Sequence, residues 1–175
     1  YGNSYYPSDF APKAGWSDYY ASEKFYLAYP NDERKAHNFM TEWNTKKGVV
    51  NYKNSADKLP AISKYYDYND GEPGKSAQSN GITCIYRYAD ILLMYAEASV
   101  RATNSVSAKA VNALQEVQKR AQGYADDATV TTTTNPAEFL DAVFNENGWE
   151  FFAEMRRWFD LVRLEKLKDV KPTEW

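Results

Sequence analysis

The sequence predicts a mostly α protein built from tetratricopeptide-like helical hairpins with long irregular loops, and three observations carry that prediction. Apolar residues recur with a period of about 3.6 over residues 86–101 and again over 107–122. A third helix start is spelled out at Asn135-Pro136, a capping residue followed by the imino acid that suits a first helical position, with Glu138 in the first turn. The first thirty residues hold ten aromatics and show neither helical nor alternating spacing.

Taken in order, residues 1–30 are rich in Tyr, Ser, Pro and Gly and read as one irregular, aromatic-rich loop segment. Over residues 31–45, Asn31 or Asp32 can cap a short helix, Glu33 suits its first turn, and Phe39, Met40 and Trp43 fall on one face. Residues 48–52 and 61–68 carry Val, Ile and Tyr and suit short strands, and 69–81 is a turn-rich loop. The helix over 86–101 places Arg87, Asp90, Glu97 and Arg101 on one face and Tyr88, Ala89, Leu92, Leu93, Tyr95 and Ala96 on the others, so it needs neighbours on two sides. Its partner over 107–122 starts at Ser105 or Ser107, stops at Gly123, and buries Ala110, Val111, Leu114, Val117 and Ala121. After a Thr-rich linker, 126–134, the helix opened by Asn135 runs past Phe144, with Gly148 as a candidate bend. A last helical stretch covers 155–168.

Length and composition bound the function. A chain of 175 residues buries roughly 70% of the surface it exposes when unfolded, enough for one domain with a core, here the 1–30 segment joined to a helical region over 31–175. The net charge of −3 lacks the basic excess that a phosphate backbone demands, which argues against nucleic acid. The longest apolar run, Ile91 to Tyr95, is far short of the roughly 20 residues that span a bilayer. Cys84, between Thr83 and Ile85, reads as a packed small hydrophobe, and His37, beside Lys35 and Asn38, as a solvated surface residue. The first residues carry no basic stretch and no apolar signal region, so the sequence reads as part of a longer protein.

Two segments resemble signatures of the SusD/RagB family. Residues 86–98, YRYADILLMYAEA, are similar to that family's RYAD-LLMYAEA helix, and residues 146–163, ENGWEFFAEMRRWFDLVR, to its ER--EF--EG-RW-DL-R pattern in register. Residues 114–121 and Pro30 to Arg34 resemble further family segments more loosely, the first with Gln115 and Gln118 in place of the usual polar and basic residues. Asn147 stands where the family usually has Arg, and Met155 where it often has Gly. The resemblance implies a mostly helical fold of which this chain holds the carboxy-terminal portion. It also implies a non-catalytic surface lipoprotein of Bacteroidetes, lipidated outside this chain. Such a protein captures oligosaccharides, in some cases peptides, and passes them to a SusC-like TonB-dependent outer-membrane transporter.

The chemistry in the chain agrees with binding rather than catalysis. With one His and one Cys, nucleophile–His pairs and multi-His metal sites are excluded within it, and no cofactor or metal is implied. Paired carboxylates are the one enzymatic option left, and Glu146, Glu150 and Glu154, at i, i+4 and i+8, are the obvious candidates; with Arg157 three residues past Glu154 and Arg163 three past Asp160, they read instead as structural ion pairs. The candidate ligand contacts are in the aromatic segment. Trp16, Tyr19, Tyr20, Tyr5 and Tyr6 can stack on the apolar faces of sugar rings, and Asp18 and Asn3 can bond sugar hydroxyls. Trp16, between Gly15 and Ser17, has no periodic face to bury it. The alternative reading is a tetratricopeptide-like adaptor whose groove binds peptide.

Overall fold

The computed structural model describes residues 2–11, 14–66 and 84–170, and in these helix dominates, with sheet limited to two short antiparallel pairs. The expected loop over 69–81 lies outside the described residues. The chain divides into two compact units, Tyr1–Cys84 and Ile85–Trp175.

The first unit is held by aromatic rings and short elements. The 1–30 segment is not wholly irregular: it contains α1 (Gly2–Tyr5) and α2 (Glu23–Ala28). Asp32 caps α3 (Glu33–Asn38), accepting from the Arg34 backbone N–H at 3.0 Å. The helix expected to continue to residue 45 stops there. Asn38 is buried and donates from Nδ2 to the Tyr29 hydroxyl at 2.9 Å, and the chain turns extended into β1 (Phe39–Met40), β2 (Glu42–Thr45) and β3 (Gly48–Asn51). Strand β1 pairs with β4 (Ala61–Ile62), Phe39 opposite Ile62, and β2 pairs with β3, Trp43 opposite Val50. Rings of Tyr26 and Tyr29 meet Phe39 edge-on at 5.1 and 5.0 Å, and Trp43 is buried with its Nε1 donating to Asp9 at 2.8 Å. These long-range partners outweigh the helical propensity of the segment.

The second unit is a helical bundle. Helix α4 (Tyr88–Thr103) opens with the Arg87 N–H donating to the Asp90 carboxylate at 2.6 Å and closes at Asn104 in the left-handed region. Ser107 caps α5 (Ala108–Ala121), which runs back antiparallel to form the expected hairpin. Asn135 caps α6 (Pro136–Glu150), accepting from Ala137 at 2.9 Å and Glu138 at 3.3 Å. One contiguous core joins Leu93, Ala96 and Val100 of α4, Leu114 and Val117 of α5, Phe139 and Val143 of α6, and Phe151.

The Thr-rich linker is fastened by glutamines. Gln118 donates to the Thr131 hydroxyl at 2.9 Å and accepts from the Thr131 N–H at 2.8 Å, while Gln115 donates to the Thr131 carbonyl at 2.8 Å. The two departures from the family's helix pattern therefore have a role in this chain.

Several expectations are corrected in this unit. Gly148 does not bend α6; a Cβ there would lie 2.9 Å from the Arg157 guanidinium, so its role is to seat that side chain. The terminal stretch is split into α7 (Arg157–Arg163) and α8 (Leu167–Val170), after a turn in which Ala153 and Met155 take φ of 61° and 60°. Cys84 is exposed, as are its neighbours Ile85 and Tyr86, because this segment precedes α4 without entering a sheet. Helix α4 buries one side only: Tyr88 and Tyr95, expected inside, are exposed. Trp158 and Phe159 on α7 are exposed as well. His37 is exposed, as anticipated.

Candidate functional site

The candidate site grows from a close approach of two backbones in the first unit. Gly15 is buried against Tyr6, and a Cβ on it would fall 2.0 Å from the Tyr6 carbonyl oxygen, so only glycine fits. Around that contact the loop is stitched to α1 and the residues after it. Gly15 N–H donates to the Pro7 carbonyl at 2.9 Å and Ser17 N–H to that of Tyr6 at 3.1 Å. The N–H groups of Asp18 and Tyr19 both donate to the Ser4 carbonyl at 3.0 Å. Ser17, at φ 58°, turns its hydroxyl oxygen to accept from the Ser8 N–H at 2.7 Å. A backbone fixed at so many points holds the intervening Trp16 side chain outward, 67% exposed.

The structure sorts the predicted contacts into a platform and its foundation. Trp16, Asp18 and Tyr19 are exposed, and Tyr20 is half-buried. Tyr5 and Tyr6, predicted as ligand contacts, are instead core residues, 4% and 2% exposed. Tyr5 stacks on Tyr65 at 5.4 Å and props Tyr19 at 5.7 Å; Tyr6 meets Tyr66 edge-on and donates its hydroxyl to the Tyr65 carbonyl at 3.0 Å. They are buried because residues 65 and 66, distant in sequence, supply rings to receive them. Asn3 lies in α1, and its side chain falls outside the described residues. The Tyr20 phenol is pushed up to about 12 by burial, with Asp57 alongside reinforcing the shift against a hydrogen bond from Ser17. It therefore stays a protonated donor through the neutral range.

The charged residues of the second unit are placed differently. Glu150, with its side chain 2% exposed, receives Arg87 Nη1 at 2.7 Å and also pairs with Arg120. Glu154 pairs with Arg87 at 2.7 Å rather than with Arg157. Arg157 instead donates to the Phe144 carbonyl at 2.7 Å and lies over the Phe144 ring, 3.7 Å from its centroid. Asp160 accepts from Arg163 at 2.9 Å, and Arg163 reaches Glu97 on α4; Arg156 pairs with Asp90. Burial would raise the Glu97 carboxyl, but hydrogen bonds from Arg163 and Arg101 outweigh it and hold it below its ordinary value. Glu150, held by Arg87 from the start of α4 and Arg120 from α5, lets this network tie helices together. The sequence placed Arg87 only on the polar face of its helix and did not single out Arg120; the regular spacing of charge near Glu150 concealed partners 63 and 30 positions away. Among the described residues no group of three or more His, Cys, Asp or Glu is placed to hold a metal ion, and no helix is long and apolar enough to cross a membrane.

The fold and the site together define a class: a helical-hairpin scaffold accompanied by an irregular unit that presents aromatic rings on a fixed loop. The sequence matches the SusD family profile over residues 1–173, and the chain belongs to that family. It is 30% identical to SusD-like protein P2 of Formosa agariphila over 89% of this chain and 33% of that protein. Among solved structures, a SusD homologue from Bacteroides thetaiotaomicron superimposes with a TM-score of 0.75 at 20% identity, covering 87% of this chain and 34% of that one. Surface glycan-binding protein A from Bacteroides uniformis superimposes with a TM-score of 0.65 at 28% identity, covering 88% and 31%. The chain thus spans about a third of the length of these relatives.

Proposed function

We propose that this chain belongs to a non-catalytic protein of the bacterial cell surface that captures oligosaccharides on the Trp16 and Tyr19 rings and delivers them to a SusC-like TonB-dependent transporter, with a lipid anchor outside this chain. The observation that carries the reading is Trp16, an indole 67% exposed on a loop whose backbone is pinned on both sides of it. An exposed ring of that size loses apolar contact with nothing in the protein and gains it by stacking on a sugar face. A backbone pinned on both sides of the ring leaves less conformational entropy to lose on binding. Asp18 and the Tyr20 hydroxyl are polar groups in the same short segment that can bond sugar hydroxyls. The family, and a relative named as a surface glycan-binding protein, favour the same ligand class.

Titration calorimetry of the full-length protein against a panel of oligosaccharides tests this, with new reducing ends measured in the same mixtures. At least one glycan binds, Trp16→Ala weakens it tenfold or more, and no reducing ends accumulate. Unaltered affinity in Trp16→Ala would remove that ring from the site, and turnover would overturn the non-catalytic reading.

A further inference from the structure

The Trp16 loop does not stand alone in the first unit. A second stretch, residues 51–60, is drawn against it: the Ala21 N–H donates to the Pro60 carbonyl at 2.9 Å, and the Tyr52 hydroxyl donates to Glu23 at 2.9 Å. Within that stretch Ser55 donates its hydroxyl to the Tyr52 carbonyl at 2.7 Å and accepts from the Lys58 N–H at 3.2 Å. Lys58 sits at φ 54° in the left-handed region, which closes a turn that carries Asp57 exposed. The Asp57 carboxylate lies beside the Tyr20 phenol, which hydrogen-bonds both to it and to Ser17. A carboxylate only accepts, so the phenol donates to Asp57 and receives from Ser17, whose own oxygen receives the Ser8 N–H at 2.7 Å. Two hydrogen bonds end to end put Asp57 on the order of 6 Å from the hydroxyl of Ser17, the chain neighbour of Trp16, which is the breadth of one sugar ring.

We propose that Asp57 is a further ligand-binding residue of the Trp16 platform, and that Asp57, Asp9 and Asp18 together make the platform take uncharged oligosaccharides and turn away those bearing uronate or sulfate groups. The proposal rests on the glycan-capturing reading of Trp16 given above and names the class of glycan. A carboxylate whose position is set by a neighbouring hydroxyl offers two oxygens to adjacent sugar hydroxyls, and charge-assisted hydrogen bonds of that kind are the stronger ones. Stacking on an indole does little to sort sugars by charge, so discrimination falls to the groups around the ring. Those groups are acidic. In the described part of residues 8–23 every charged side chain is a carboxylate, Asp9, Asp18 and Glu23, and Asp9, Asp18 and Asp57 are exposed. Of the cations on the second stretch, Lys53 lies over the Tyr52 ring, 5.9 Å from its centroid, leaving Lys58 to offset one of the three exposed carboxylates. An anionic sugar seated on Trp16 brings its charge within about one Debye length, roughly 8–10 Å, of these carboxylates and is repelled, whereas an uncharged one is not.

The test uses the full-length protein and matched pairs of oligosaccharides: oligogalacturonate and its methyl ester, a sulfated galactan fragment and its desulfated form, and xylo-oligosaccharides with and without glucuronate branches. In calorimetry at low salt the uncharged member of a pair should bind at least about tenfold more tightly than the charged one, and added salt should narrow that ratio. Asp57→Asn keeps the shape and removes the charge; it should weaken the uncharged member about threefold or more and narrow the ratio, at an unchanged melting temperature. Asp57→Lys should shift the preference toward the charged member. Equal affinity within pairs, a preference for the charged member, or an Asp57→Asn protein that binds and discriminates as the wild type does overturns the proposal. So does a melting temperature that falls in step with affinity in Asp57→Asn, which would make Asp57 a support of the loop. In each of these cases the platform reading stands so long as Trp16→Ala still weakens binding. Wild-type affinity in Trp16→Ala, or binding by no member of any pair, brings down the platform reading and this proposal with it.

Discussion

Arg163 on α7 donates from Nη1 and Nη2 to the two carboxylate oxygens of Glu97 on α4, at 2.5 and 2.6 Å, closing a fork between residues 66 positions apart. Glu97 is buried and also receives Arg101 Nε at 2.6 Å, whereas nearly half of the Arg163 side chain faces solvent. Breaking a fully buried pair costs about 3–5 kcal/mol and an exposed one under about 1. Arg163→Ala should fall between, about 1–3 kcal/mol by urea denaturation, with glycan affinity unchanged. A loss below about 0.5 kcal/mol would show that Arg101 and water suffice for Glu97.

The same carboxylate makes stability depend on pH. Its folded pKa is depressed below the ordinary 4.5, so its contribution is fully present above that value and is lost as pH falls through the folded pKa. Between pH 5 and about 2, urea midpoints of the wild type should fall more steeply than those of Glu97→Gln. Parallel curves would mean that other carboxylates carry the acid sensitivity.

Met155 takes a φ of 60° with its side chain mostly exposed. The left-handed region costs a residue with a Cβ about 1–2 kcal/mol, partly offset by the freedom glycine regains when unfolded. Met155→Gly should therefore stabilise the protein by about 0.5–1 kcal/mol, read as a rise in melting temperature. A fall would show that the Met155 side chain packs on something outside this chain.

At Gly15 the opposite sign is expected. An added Cβ meets the Tyr6 carbonyl at 2.0 Å, and backbone cannot yield as a flexible side chain can. Gly15→Ala should displace the loop that carries Trp16, weaken glycan binding by at least as much as Trp16→Ala, and lower the melting temperature as well. Trp16→Ala, which removes an exposed ring, should leave the melting temperature alone. Equal melting effects in the two variants would place Trp16 among the rings that hold the loop down.

What the sequence determined by itself is the helical hairpin and its partner helix. The periods of α4 and α5, the Ser107 and Asn135 caps and Pro136 all act between residues within about a turn of each other, so consecutive residues suffice to specify them. Tertiary structure decided the rest. Residues 39–45 became strands because Ile62 and Val50 pair with Phe39 and Trp43. Tyr5 and Tyr6 went inside while Trp16 stayed out because Tyr65 and Tyr66 arrive beneath the first two and no ring among the described residues covers the third. Arg157 forsook the nearby Glu154 because Gly148 leaves room for it against the Phe144 ring and carbonyl. In each case the outcome depends on which group reaches a side chain from far along the chain, and local spacing carries no record of that distance.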